Sequence, residues 1–149
     1  MTQAPKATMV GINHVALEVD DIDSALEFYG SIFHITLRGR APGMAFIDMG
    51  DQFLALSEGR TQPPDTHRHF GLVVDKRDPI RLTLEKLGAQ IIPSRGLDFL
   101  DPWGNHIQVV EYTNIQFTKA DHILKGMQMA GLSKSEQALK ELQDKNMAP

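Results

Sequence analysis

Between Ile12 and Val19 apolar and polar positions alternate. Val15, Leu17 and Val19 fall on one face, and His14, Ala16 and Glu18 on the other, which predicts a half-buried strand. The stretch DDIDSALEFYGSIF changes period: Ile22, Ala25, Leu26 and Tyr29 recur at helical spacing, with Asp21 or Asp23 placed to cap the start. Three short strands are expected next, around Ile35 to Arg38, Met44 to Asp48 and Gln52 to Ser57, punctuated by Gly39, Pro42, Gly43 and Gly50.

After RTQPPDT, a linker by composition, the same order returns. Phe70, Leu72 and Val74 alternate with His69, Gly71 and Val73. DPIRLTLEKLG reads as a helix with Pro79 in its first turn and Gly88 as its stop. Strands are expected near Gln90 to Ile92, Leu97 to Leu100 and His106 to Tyr112, the last two separated by the turn DPWGN. Aligned on their histidines, NHVALEVDD and RHFGLVVDK match in strand length, face and following aspartate. The fold class expected is α+β. Two β-α-β-β-β modules, about 10–59 and 68–112, form a curved, barrel-like sheet with a concave pocket in a domain spanning 1–116. A two-helix extension spans 117–149. Its capping signals are Thr118 with Asp121 and Ser133 with Glu136, its apolar stripes are Ile123, Leu124, Met127 and Leu139, Leu142, and Gly131 lies between the helices.

Composition narrows the chemistry. The chain has 149 residues, 42% hydrophobic and 23% charged, with a net charge of −4, which gives no basic footprint for nucleic acid. It has no cysteine, so disulfides, thiolate metal sites and a cysteine nucleophile are excluded. The opening MTQAPKATMV lacks the apolar run of a signal peptide, and no stretch reaches the roughly 20 apolar residues of a membrane span, so a cytoplasmic protein with no membrane partner is expected. Open sheet faces and edges predict a homodimer.

Two histidines at equivalent places in a repeat share the face opposite the helices. Neutral imidazole is a common metal ligand. Alternation in the last strand sets His106, Gln108, Val110 and Tyr112 against Ile107, Val109 and Glu111; the matching strand of the first unit offers Phe53, Ala55 and Ser57. The candidate metal set is therefore His14, His69 and Gln108. Phe53, Ala55, Phe99, His106 and Tyr112 are expected to line the pocket. Two imidazoles and an amide suit Zn²⁺, Fe²⁺, Ni²⁺ or Mn²⁺ better than Mg²⁺ or Ca²⁺. A polar pocket without metal is the other reading. Glu58 and Glu111 fall on the wrong faces by strict alternation, and Trp103 sits in the turn, placed to pack on the tail or flank a substrate.

INHVALEVDDIDSALEFYGSIF, HFGLVV, LEKLGA and DPWGNHIQVVE together resemble the glyoxalase / bleomycin resistance / extradiol dioxygenase superfamily, the vicinal oxygen chelate fold, over about residues 10 to 112. The resemblance implies one metal ligand from the first and one from the last strand of each unit. It matches His14 and His69 directly, puts Gln108 where the second unit supplies a carboxylate, and puts Ala55 where the first does. The glutamate proton carrier of glyoxalase I-like members, and the two-histidine, one-glutamate set of extradiol dioxygenases, are therefore not intact. The function implied is action on a small molecule through a divalent metal that polarises an oxygen-chelating substrate, as a lyase, isomerase or dioxygenase-like enzyme. The alternative is a metal-free protein that sequesters a small ligand, as resistance-type relatives do. The catalytic proton carrier is unidentified.

Overall fold

The computed structural model describes residues 6–149; the first five residues of the N-terminal stretch lie outside it. The first unit runs β1 (His14–Val19), α1 (Ile22–Ile32), β2 (Leu37–Ala41), β3 (Met44–Asp48) and β4 (Phe53–Glu58). The second runs β5 (Phe70–Val74), α2 (Asp78–Leu87), β6 (Gln90–Ile92), β7 (Leu97–Leu100) and β8 (His106–Glu111). Each unit forms a four-stranded mixed sheet of one topology, β1-β4-β3-β2 and β5-β8-β7-β6. In both, the first strand runs parallel to the last, and antiparallel strands follow outward. The expected α+β architecture of paired β-α-β-β-β units is thus present.

Local chemistry sets the element ends. Asp21 caps α1, its Oδ2 accepting from the Ser24 N–H at 2.7 Å. Pro79 sits in the first turn of α2, and Gly88 ends it at φ 64°. β2 begins two residues later than alternation suggests, and its register with β3 shifts between Leu37 and Gly39.

One core joins both units. Leu17, Val19, Leu54 and Leu56 of the first sheet pack with Ile22, Ala25 and Tyr29 of α1, and continue into Ile80, Leu84, Leu97, Phe99, Ile107 and Val109. The DPWGN turn then ties the second unit to the first. The Tyr29 hydroxyl donates to Asp101 Oδ2 at 2.6 Å, Asn105 Nδ2 donates to the Glu18 carbonyl at 2.9 Å, and Arg60 Nη1 donates to Asn105 Oδ1 at 2.6 Å. Burial, with the Asp101 charge beside it, pushes the Tyr29 hydroxyl well above its ordinary pKa. Gly104 (φ 86°) passes so close to Pro64 that a Cβ would sit 2.7 Å from the proline Cα. Trp103 packs edge-on against Phe28 of α1 at 6.2 Å, so the turn tryptophan meets the body and not the tail.

After a 3-10 turn (Tyr112–Asn114) come α3 (Asp121–Gly126) and α4 (Glu136–Gln143). Both pack on the body through Leu124, Ala138 and Leu142. Met127 and Ile123 cover Gly50 in the β3–β4 turn, and Lys119 pairs with Asp51 there. The expected capping residues are corrected. Ala120 precedes α3 without a side-chain cap, because the Thr118 hydroxyl donates to Gln116 O instead. Ser135, not Ser133, caps α4 by accepting from the Ala138 N–H. The Ser133 carbonyl is held by Thr113, and Lys134 turns inward, which delays the helix. Among the described residues no helix is long and apolar enough to cross a membrane.

Candidate functional site

Each sheet has one face against the core and one open face, and alternation decides which side chains reach the open one. On the first sheet His14 opens β1 beside Phe53, and Ala16, Ala55 and Phe46 stand in register across β1, β4 and β3. On the second sheet Gly71, Gln108 and Asp98 take the matching ladder across β5, β8 and β7. His69, one residue before β5, meets His106, with ring centroids 5.0 Å apart. The two faces are thus equivalent by repeat but different in chemistry. His14 stacks on Phe53 at 4.7 Å where His69 meets His106.

The two candidate ligand histidines are prepared alike. His14 Nδ1 lies 2.9 Å from Asn13 Oδ1, and His69 Nδ1 lies 3.0 Å from the His67 carbonyl oxygen. Each Nδ1 thus faces an oxygen acceptor, a contact made by a ring protonated at Nδ1, whose Nε2 is then a free lone pair. An imidazole that donates through one nitrogen and keeps the other free is the tautomer a metal ligand needs. Both rings are exposed, and Gln108 is half-buried beside Gly71, which leaves the space over the strand uncovered. Among the described residues no three His, Cys, Asp or Glu side chains group as a metal cage. The set therefore depends on the Gln108 amide, and it carries no negative charge of its own.

His106 is held more tightly. Its Nε2 lies 2.7 Å from Asp98 Oδ2, and Ser94 donates to Asp98 Oδ1 at 2.7 Å. Burial alone would raise the Asp98 pKa, but the hydrogen bonds from Ser94 and His106 outweigh it and hold the carboxyl below its usual value. His106 Nδ1 is buried with no partner among the described residues. Where the two units meet, a cavity of about 410 Å³ opens between the edges of β1 and β5, lined by Ala16, Glu18, Arg60, Arg68, His69 and Asn105.

The pocket-lining residues expected from sequence divide. Phe53 and His106 stand on the open faces. Ala55 does too, but it is only 4% exposed between Ala16 and Phe46. Phe99 is corrected: it is fully buried on the core side of β7, against Phe28. Tyr112 is corrected as well. Alternation stops as the chain enters the 3-10 turn, and the ring lies under the tail, with Lys134 Nζ 3.5 Å from its centroid. Sequence reasoning misses Asp98, Phe46 and Arg38. The burial of Leu97 and Phe99 by itself assigns Asp98 to the open face, so strict alternation through LDFL is the signal that finds it.

The sequence model of the Glyoxalase/Bleomycin resistance protein/Dioxygenase superfamily matches residues 11–109. The chain belongs to this superfamily. The match spans both units and stops before the tail. Among curated superfamily relatives, the glutathione transferase FosA of Serratia marcescens is 28% identical over 110 residues, covering 66% of this chain and 78% of that protein. The metallothiol transferase FosB of Lysinibacillus sphaericus (strain C3-41) is 26% identical over 115 residues, covering 68% and 82%. The fosfomycin resistance protein FosX from Listeria monocytogenes, in complex with Mn(II) and sulfate, superposes with a TM-score of 0.61 at 17% identity, covering 80% of this chain and 99% of that one. A putative glyoxalase family protein from Bacillus anthracis gives 0.59 at 22%, covering 71% and 98%. These structural likenesses establish the shared fold.

Proposed function

We propose that this protein modifies a small oxygen-bearing molecule with the help of a divalent cation held by His14, His69 and Gln108. The observation that carries the reading is the shared contact: each histidine turns Nδ1 to an oxygen acceptor, which leaves Nε2 without a protein partner on an open sheet face. The names of the relatives support it, since one is a metallothiol transferase and another was solved with Mn(II). A bound cation of this kind supplies Lewis acidity, polarising a substrate oxygen.

The chain's own groups do the rest. Asn13 and the His67 carbonyl fix the two ring orientations. Gln108 offers its amide oxygen in the gap left by Gly71. Asp98 holds the proton of His106 at Nε2 and keeps that ring against His69, limiting its rotation. A homodimer belongs to the same proposal: Met9 and Val10 are 98% and 99% exposed just ahead of β1, an apolar arm that a second copy would cover. So does a cytoplasmic location, supported by the cysteine-free composition.

The neutral donor set favours one competing reading, a metal-free protein that sequesters its ligand. Metal content after gentle purification and dialysis separates the two. Wild type should retain a transition metal that His14→Ala and His69→Ala lose. Equal, background metal in all three proteins would leave sequestration as the function.

A further inference from the structure

The open face of the first sheet carries a cluster around Phe53 of which the chemistry above uses only His14. Phe53 stacks on His14, its plane within 10° of the imidazole. The Arg38 guanidinium lies 4.6 Å from the centroid of the same phenyl ring, and Phe46 meets that ring edge-on at 5.9 Å. Arg38 and His14 are exposed; Phe46 and Phe53 are half-buried. Arg40, two residues along β2, pairs with Asp23, but Arg38 forms no ion pair or hydrogen bond among the described residues. Asp48, a carboxylate on the same face, lies 3.4 Å from the Gly50 N–H and forms no ion pair with Arg38. A guanidinium resting on an aromatic face is positioned by the ring's quadrupole while its N–H fork stays open to an incoming acid.

The second sheet sharpens the contrast. The repeat places His106 opposite His69 where Phe53 stands opposite His14, and Asp98 beside Gln108 where Phe46 stands beside Ala55. The first face is aromatic with a free cation, and the second is polar. Neither Ala55 nor Gln108 brings negative charge to these faces, and Asp98 is already held by Ser94 and His106. With neutral side chains at both positions, Asp48 remains as the carboxylate in register with Phe53, and an anion at Arg38 meets less negative charge than a glutamate at Ala55 or Gln108 would add. A short aliphatic acid would satisfy Arg38 but leave two phenyl rings wet, whereas a neutral aromatic would cover the phenyls but displace water from an uncompensated guanidinium.

We infer that the site takes a small planar aromatic carboxylate, its acid group held by the Arg38 fork and its ring against Phe46 and Phe53. The inference rests on reading these sheet faces as the ligand site, and it names the substrate class for that site.

The test is a ¹⁵N-HSQC titration of the metal-free full chain in EDTA with benzoate, cyclohexanecarboxylate and benzyl alcohol. Benzoate should shift signals around residues 38, 46 and 53 and bind at least about fivefold more tightly than either analogue. Arg38→Gln should bring benzoate down to the affinity of benzyl alcohol. Phe53→Leu should bring it down to that of cyclohexanecarboxylate, and Arg40→Gln should change neither. Benzoate shifts elsewhere on the chain, no preference over the analogues, or an unaltered Arg38→Gln would overturn the inference. Because no metal is present, failure of metal retention would defeat the proposed function without touching this result.

Discussion

Glu58 at the end of β4 accepts a hydrogen bond from the backbone N–H of Ile22, the first residue of α1, at 3.1 Å. Glu111 does the same in the second unit, accepting from the Arg77 N–H ahead of α2 at 3.0 Å. The first N–H groups of a helix have no partner within it, and a carboxylate there also meets the positive end of the helix dipole. Both acids therefore fix the strand-end to helix-start geometry of their units and stand away from the open faces.

Replacing Glu58 by Ala should cost about 1 kcal/mol, a fall of roughly 3 °C in melting temperature for a chain of this size. It should leave metal retention unchanged. Calorimetry alongside metal analysis checks both, and loss of metal in this variant would place Glu58 in the site.

Lys134 binds the tail to the end of the second sheet. Its ammonium donates to the carbonyls of Tyr112, at 2.7 Å, Ile115, at 2.8 Å, and Phe117, and lies over the Tyr112 ring. Burial brings its pKa down to about 8. Lys134→Met should leave the carbonyls without their donor, destabilise the fold by about 1–3 kcal/mol, and speed proteolysis between 115 and 135. Unchanged protease resistance would mean that apolar contacts alone hold the tail.

Acid should loosen the chain at two defined places. The Lys119 hydrogen bond chiefly holds Asp51 below the usual carboxylate value; Asp98 is lowered by hydrogen bonds from Ser94 and His106 that outweigh its burial. A carboxyl with a lower pKa folded than unfolded stabilises the fold fully above its unfolded value. That contribution is lost as pH drops through the unfolded value, about 3.9, toward the folded one. Melting temperature should therefore be flat with respect to these two groups near neutrality and fall below about pH 4. In Asp98→Asn the fall should be shallower, from a lower starting stability.

Much of this architecture is legible in the sequence. Met44–Asp48, Gln90–Ile92 and Leu97–Leu100 fall where alternation and flanking turn residues put them. His14 and His69 take the open faces because their strand neighbours are apolar. The failures have local causes. Strand parity extended to Tyr112 runs past the point where the backbone turns into a 3-10 helix. Phe99 suits a pocket by chemical type, but the parity of its own strand sends it to the core. The tail helices start late because the Thr118 hydroxyl turns back to Gln116 ahead of α3, and Thr113 and Lys134 hold the chain from a distance ahead of α4. The Arg38–Phe53 contact joins different strands and leaves no periodic trace.

The most direct measurement is a Mn²⁺ titration of wild type, His69→Ala and Gln108→Glu, followed by loss of the free-ion EPR signal. Gln108 is preferred to Ala55 because Ala55 is buried between Ala16 and Phe46, where a glutamate would have to displace the phenyl ring. If His14, His69 and Gln108 share an ion, wild type binds it. His69→Ala then weakens binding by about tenfold or more. Gln108→Glu tightens it, because a charged oxygen replaces a neutral one. A wild type that leaves the Mn²⁺ signal untouched, or three proteins with the same affinity, would contradict the site.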